Sequence, residues 1–298
     1  MDKLQKRYGL LTAICMVVGI VIGSGVFFKA QTILQKTGGN MPLGILAWII
    51  GGVIMLTCLL AFSVMAQKFE KVNGIVDYAE ACVGSKYAYY VGWFLTIIYY
   101  PCLTSVLSWL SARYTLVFIT SIAPDFPLLG LGAAAGAETV LGPECMSLAM
   151  FYMCCAYAVN ALSPKLAGKL QVSTTIIKLI PLFLMAVVGI IVGLANGTLA
   201  NNFNTLADVG TTSTSPLFAS VCATAFAYEG WIIATSINAE LKDAKKNLPR
   251  ALVIGAIIII ATYIFYYVGV AGGATNQELI DSGATVAFIN VFGNVLGN

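Results

Sequence analysis

Two ionisable side chains stand deep inside long apolar runs: Lys178 within residues 170–195 and Glu229 within 216–238. A charge at the centre of a bilayer costs at least about 2.5 kcal/mol, so each needs a partner or a task. Lys178 lies about nine residues, or about 13 Å, into its run, too deep for its stem to carry the ammonium easily to the surface. An ammonium has three donors and no acceptor, so backbone carbonyls released from a helix would suit it. It would act as a fixed cation or as a group that gives up a proton. Glu229 also has two readings. It is a structural acid, protonated or hydrogen-bonded among helix neighbours, or a carboxylate facing a ligand.

The second chemistry-bearing pattern is backbone. Residues 19–27 read GIVIGSGVF, with Gly19, Gly23, Ser24 and Gly25 near the middle of an apolar run, and residues 226–231 read FAYEGW. Glycine inside a span is ordinarily a packing device. Such a density of glycine and serine also predicts local unwinding. Unwound residues leave N–H and C=O groups without helical partners. The N-terminal end of a half-helix then favours a carboxylate, and free carbonyls suit an ammonium. One break can therefore hold the zwitterionic head of an amino acid.

Other chemistries are excluded. The chain has no histidine, and its 8 cysteines form no CxxC pair, which removes zinc sites and histidine-based triads. It also lacks GxSxG and repeated metal-spaced acids, so neither an enzyme nor a metal or cofactor is expected. Cys15, Cys58, Cys102, Cys154, Cys155 and Cys222 fall in apolar runs, where cysteine behaves as a small hydrophobe. Cys145 lies where a loop meets a helix and could pair with a partner protein, but no such pairing is expected.

These groups need helices to hold them. Of 298 residues 59% are hydrophobic and 10% charged, against about 25% charged in soluble domains. The mean hydropathy of +0.89 agrees, so the bilayer is the solvent for most of this surface. The net charge of +3 suggests no nucleic-acid partner. Runs of about 20 apolar residues predict seven spans, at 9–34, 43–66, 87–119, 145–163, 170–195, 216–238 and 250–272, with an eighth starting near Thr285. Helices are the form that satisfies their backbones in lipid. Lys3, Lys6 and Arg7 resemble the start of a signal peptide, but the long apolar run and the later spans predict a retained helix.

Basic residues then orient the chain. A cytoplasmic N-terminus puts Lys3, Lys6, Arg7, Lys68, Lys71, Lys86, Lys165, Lys169, Lys242, Lys245, Lys246 and Arg250 inside, and only Lys29, Lys36 and Arg113 outside. Asp77 and Glu80 then fall in a solvated cytoplasmic segment. In the third span, Tyr99, Tyr100 and Pro101 serve packing or line a pocket, with Pro101 bending the helix. The first and sixth spans run in opposite senses, and each carries a break. Paired interruptions in oppositely oriented halves are the mark of an inverted-repeat transporter.

GIVIGSGVF, VNGIVDYAEACVG at 72–84, TTIIKLIPL at 174–182, FAYEGW and ELKDAKKNLPRAL at 240–252 occur together in this order. With them the chain resembles the amino acid–polyamine–organocation transporters, and most of all the L-type amino acid exchangers and their bacterial relatives. The resemblance implies an all-α polytopic fold of twelve helices, the first ten forming two inverted five-helix repeats. Residues 9–195 would be the first repeat and 216–298 part of the second, the whole being truncated after about seven spans. It also implies secondary active transport of amino acids by alternating access, as exchange or proton-coupled symport. A polyamine or other amine carrier and a substrate sensor remain as alternatives. By motif, the backbone of Ile22, Gly23, Ser24 and Gly25 would hold the substrate carboxylate. Phe226, Ala227, Tyr228, Glu229 and Gly230 would hold the amino group, with Phe226 as an aromatic gate. Lys178 would stand where sodium-coupled relatives bind the ion. An acid at the place of Glu229 tilts the expected substrates slightly toward basic amino acids or polyamines. Asn238 carries no role. The plasma membrane is the expected location, with no accessory subunit.

Overall fold

The computed structural model describes residues 8–23, 25–69, 74–122, 142–205 and 215–281. The basic N-terminus, Ser24 and the start of the expected eighth span lie outside them. Among the described residues the chain is helical, and its one β-type contact is an isolated bridge between Tyr8 and Leu241. The chain forms two compact units, residues 1–77 with 171–298, and residues 78–170.

In the first unit, α1 (Leu10–Val21) and α2 (Gly25–Lys36) follow one another across a short break and differ in direction by 49°. The Asn40 side chain accepts a hydrogen bond from the Leu43 N–H at 3.0 Å, capping α3 (Met41–Lys68). α4 (Ile75–Val83) crosses the unit boundary, which falls after Asp77. Here one expectation is corrected: Asp77 is buried, although Glu80 is exposed as expected. Asp77 sits in the first turn of α4, where a carboxylate complements the open N–H groups of the helix start.

The second unit holds α5 (Ser85–Phe94), α6 (Tyr100–Ile122) and α7 (Pro143–Leu162). One π-helical turn, Leu95–Tyr99, joins α5 to α6 just before Pro101. Proline has no N–H and crowds the carbonyl four residues back, so the ladder widens there. α6 and α7 pack through Ala112, Leu116, Cys145 and Ala149, and the Thr115 and Tyr152 hydroxyls meet at 2.8 Å. Cys145 is 3% exposed. It is a small core residue of this helix pair. Tyr157 and Leu162 point outward, as a lipid-facing surface requires.

The remaining elements are α8 (Pro164–Ala195), α9 (Thr198–Asn204), α10 (Pro216–Ala227), a 3₁₀ segment (Trp231–Glu240), α11 (Ala244–Gly273) and α12 (Asn276–Asp281). Five helical stretches among the described residues are long and apolar enough to cross a membrane, or six if the bent α1–α2 pair is one span. α10 has 12 residues, as α1 has, so each covers about 18 Å, roughly half a bilayer core. The expected sixth span is thus a half-helix followed by a tighter coil.

In the first unit α3 packs on α10 and α11, α1 on α11, and α2 on α10. The core is aromatic. Trp48 lies 5.2 Å from Tyr263 and 5.7 Å from Tyr228, edge to face, and Tyr228 and Tyr263 are 5.1 Å apart. α8 meets α11 through glycine: a β-carbon at Gly189 or Gly193 would strike the backbone of Gly269 or Gly272. This is how helices approach where lipid offers no hydrophobic drive between them.

Candidate functional site

α1 ends at Val21, and Ile22 turns out of the helix with ψ 97°. The last turn of a helix has carbonyls without intrahelical donors. Here the protein supplies most of them. Val18 accepts the Ile22 N–H at 2.8 Å, Gly19 accepts from the Lys178 ammonium, and Val21 accepts from the Tyr263 hydroxyl at 3.1 Å. The fourth, Ile20, lies against the second break, its oxygen 3.5 Å from where a β-carbon on Gly230 would be.

The glycines of the first break divide by role. Gly19 is helical and packs on α8, since a β-carbon there would meet the Thr175 hydroxyl and the Gln171 side chain. Gly25 opens α2, and its β-carbon would lie 3.0 Å from Ala227 Cα and 3.5 Å from the Phe226 ring. Gly23 has nothing within 4 Å of that position among the described residues, so open space adjoins the break there. The N–H groups of the first turn of α2 have no intrahelical acceptors, as an anion site at a helix start requires. Ile22 is fully buried, and Ser24 falls outside the described residues.

At the second break α10 ends at Ala227. The Glu229 N–H reaches back to the Phe226 carbonyl at 3.4 Å. Gly230 follows with φ +102°, a left-handed conformation that glycine adopts without the β-carbon penalty. The Ala227 carbonyl accepts from Tyr263 at 2.8 Å. The same hydroxyl therefore faces a carbonyl from each broken helix.

Of the residues expected at this break, Phe226 is 40% exposed, Glu229 half-buried, and Ala227 and Gly230 buried. Tyr228 is turned inward. Its ring packs on Trp48, and its hydroxyl donates to the Trp48 carbonyl at 2.9 Å, so only its backbone belongs to the break. Tyr100 lies on the second unit and is exposed there.

The structure thus brings Gly25 to Phe226 and Ala227, Lys178 to Gly19, and Ile20 to Gly230. Two contributors were not expected. Tyr263 offered one signal, a tyrosine amid apolar sequence whose buried hydroxyl would need a partner. Lys29 was assigned to the outer side from its place near the end of the first run. It lies on α2, with its ammonium 5.3 Å from the centre of the Phe226 ring. Among the described residues no three histidine, cysteine or acidic groups gather as a metal site.

Residues 8–298 match the amino acid permease family. The chain belongs to that family. Among curated relatives of this permease, it is 30% identical to the serine/threonine exchanger SteT of Bacillus subtilis (strain 168), over 99% of the chain and 62% of the relative. It is 28% identical to the Asc-type amino acid transporter 1 of Mus musculus, over 94% of the chain and 50% of that protein. The large neutral amino acids transporter small subunit 2 of Oryctolagus cuniculus gives 28% identity over the same shares. The permease chain spans about half to three-fifths of the length of these relatives. They are permeases and exchangers, not enzymes, and the helical, membrane-spanning architecture agrees with that family.

Proposed function

We propose that this chain is part of a secondary transporter that exchanges small amino acids, or carries them with protons, across the plasma membrane by alternating access. The observation that carries the reading is the meeting of two interrupted helices at one hydroxyl, with Tyr263 facing the carbonyls of Val21 and Ala227. The start of α2 would receive the substrate carboxylate. Backbone carbonyls between Phe226 and Gly230 would receive its ammonium, and Phe226 would close over it. Lys178 would serve as the fixed cation that ties α8 to the end of α1. In this reading the N-terminus is cytoplasmic, and residues 9–195 and 216–298 belong to two inverted repeats. The activities that the relatives are named for, serine/threonine exchange among them, favour small neutral substrates.

The test is counterflow. Full-length protein in liposomes preloaded with unlabelled amino acid is expected to accelerate uptake of labelled serine or alanine. Binding without any uptake would assign a sensor instead, and neither binding nor uptake would remove the proposal.

A further inference from the structure

We infer that Lys29 is a specificity-determining residue of this site. It would favour amino acids whose side chain carries a hydroxyl or carboxylate oxygen, and disfavour those whose side chain is cationic. The inference rests on the proposed transport function and goes beyond it, because it names what selects the substrate.

Lys29 follows Gly25 by four residues on α2, so the two share a helix face, one turn apart. That face meets α10: a β-carbon on Gly25 would be 3.0 Å from Ala227 Cα and 3.5 Å from the Phe226 ring. One turn beyond, the Lys29 ammonium stands 5.3 Å from the centre of the same ring. Phe226 is 40% exposed, so the pair is not sealed within the helix packing. Among the described residues no acidic side chain neutralises this ammonium. The other charge acting on it is Lys36, of the same sign.

Two physical effects then act on a bound amino acid. With the substrate carboxylate at the start of α2, its side chain extends toward a donor that can bond an oxygen but cannot accept from an ammonium. A like charge at this depth is repelled more than it would be in water. Lys29 also occupies one face of the Phe226 ring, the surface to which a cationic side chain would otherwise be drawn.

The experiment uses full-length protein in liposomes and reads the inhibition of labelled alanine uptake by serine, aspartate and lysine. The wild type is expected to rank serine or aspartate well ahead of lysine. In Lys29→Met the ratio of the lysine to the serine half-inhibitory concentration should fall by about tenfold. Lys29→Arg should keep the wild-type order. If Lys29→Met carries no alanine, the same ratio is read from thermal stabilisation of the detergent-purified protein by each ligand. An unchanged ratio in Lys29→Met overturns the inference, as does a wild type that takes lysine as readily as serine. A wild type that neither transports nor is stabilised by any amino acid refutes the transport reading instead.

Discussion

The Lys178 ammonium donates a hydrogen bond to the carbonyl oxygen of Gly19, across 159 positions of sequence. Gly19 lies in the last turn of α1, where unpaired carbonyls concentrate the negative end of the helix dipole. A cation placed there both satisfies an acceptor and complements that dipole. Beside it the Thr175 hydroxyl lies 3.4 Å from the Cys15 carbonyl, so α8 grips the end of α1 at two levels.

Lys178→Ala should therefore loosen the first broken helix, at a cost of about 1–3 kcal/mol. Transport by the full-length protein is expected to fall sharply while expression drops modestly. Wild-type turnover by purified Lys178→Ala protein would refute the role.

Tyr263→Phe removes the donor shared by Val21 and Ala227. With both carbonyls buried behind the breaks, a loss of about 1–2 kcal/mol in stability is expected, with weaker substrate binding. Tyr267→Phe is the control. The Tyr267 hydroxyl is buried with no partner among the described residues, so its removal should cost little or even stabilise. Thermal melting of the two variants in detergent compares them directly, and equal losses would deny Tyr263 its bridging role.

Gly25 and Gly23 make a second contrast. Gly25→Leu must displace the α10 backbone at Ala227, so amino acid binding should be abolished while membrane insertion continues. Gly23→Ala meets nothing within 4 Å among the described residues and should fold with little change in melting temperature. A scintillation proximity assay on both variants reads binding. Undiminished affinity in Gly25→Leu would show that the α2 start is not the carboxylate site.

Glu229 opposes Lys29 in charge and follows Phe226 by three residues. If its carboxylate faces the bound substrate, Glu229→Gln turns a charge-assisted bond into a neutral one and weakens lysine and putrescine by about 1–3 kcal/mol. Alanine should change far less. Uptake of the three compounds at two pH values tests this. A variant whose pH dependence is flattened for every substrate alike would make Glu229 a proton carrier instead.

The positions of the apolar helices and both breaks were legible in the sequence because membrane insertion is decided locally. About 20 apolar residues suffice for a span, and clustered glycines weaken a helix wherever it packs. The expected break at residues 22–25 and the interruption after Ala227 therefore recur in the structure. Tertiary structure decided which face of each helix turns inward. Lipid is as apolar as a helix bundle interior, so hydropathy along a span does not distinguish its two sides. For that reason Tyr228 turned into the core on Trp48, Cys145 was enclosed between α6 and α7, and Asp77 was buried at the start of α4. Tyr263 reached two carbonyls, 242 and 36 positions away. Such contacts depend on the shapes of helices far apart in the chain, and no local pattern encodes them.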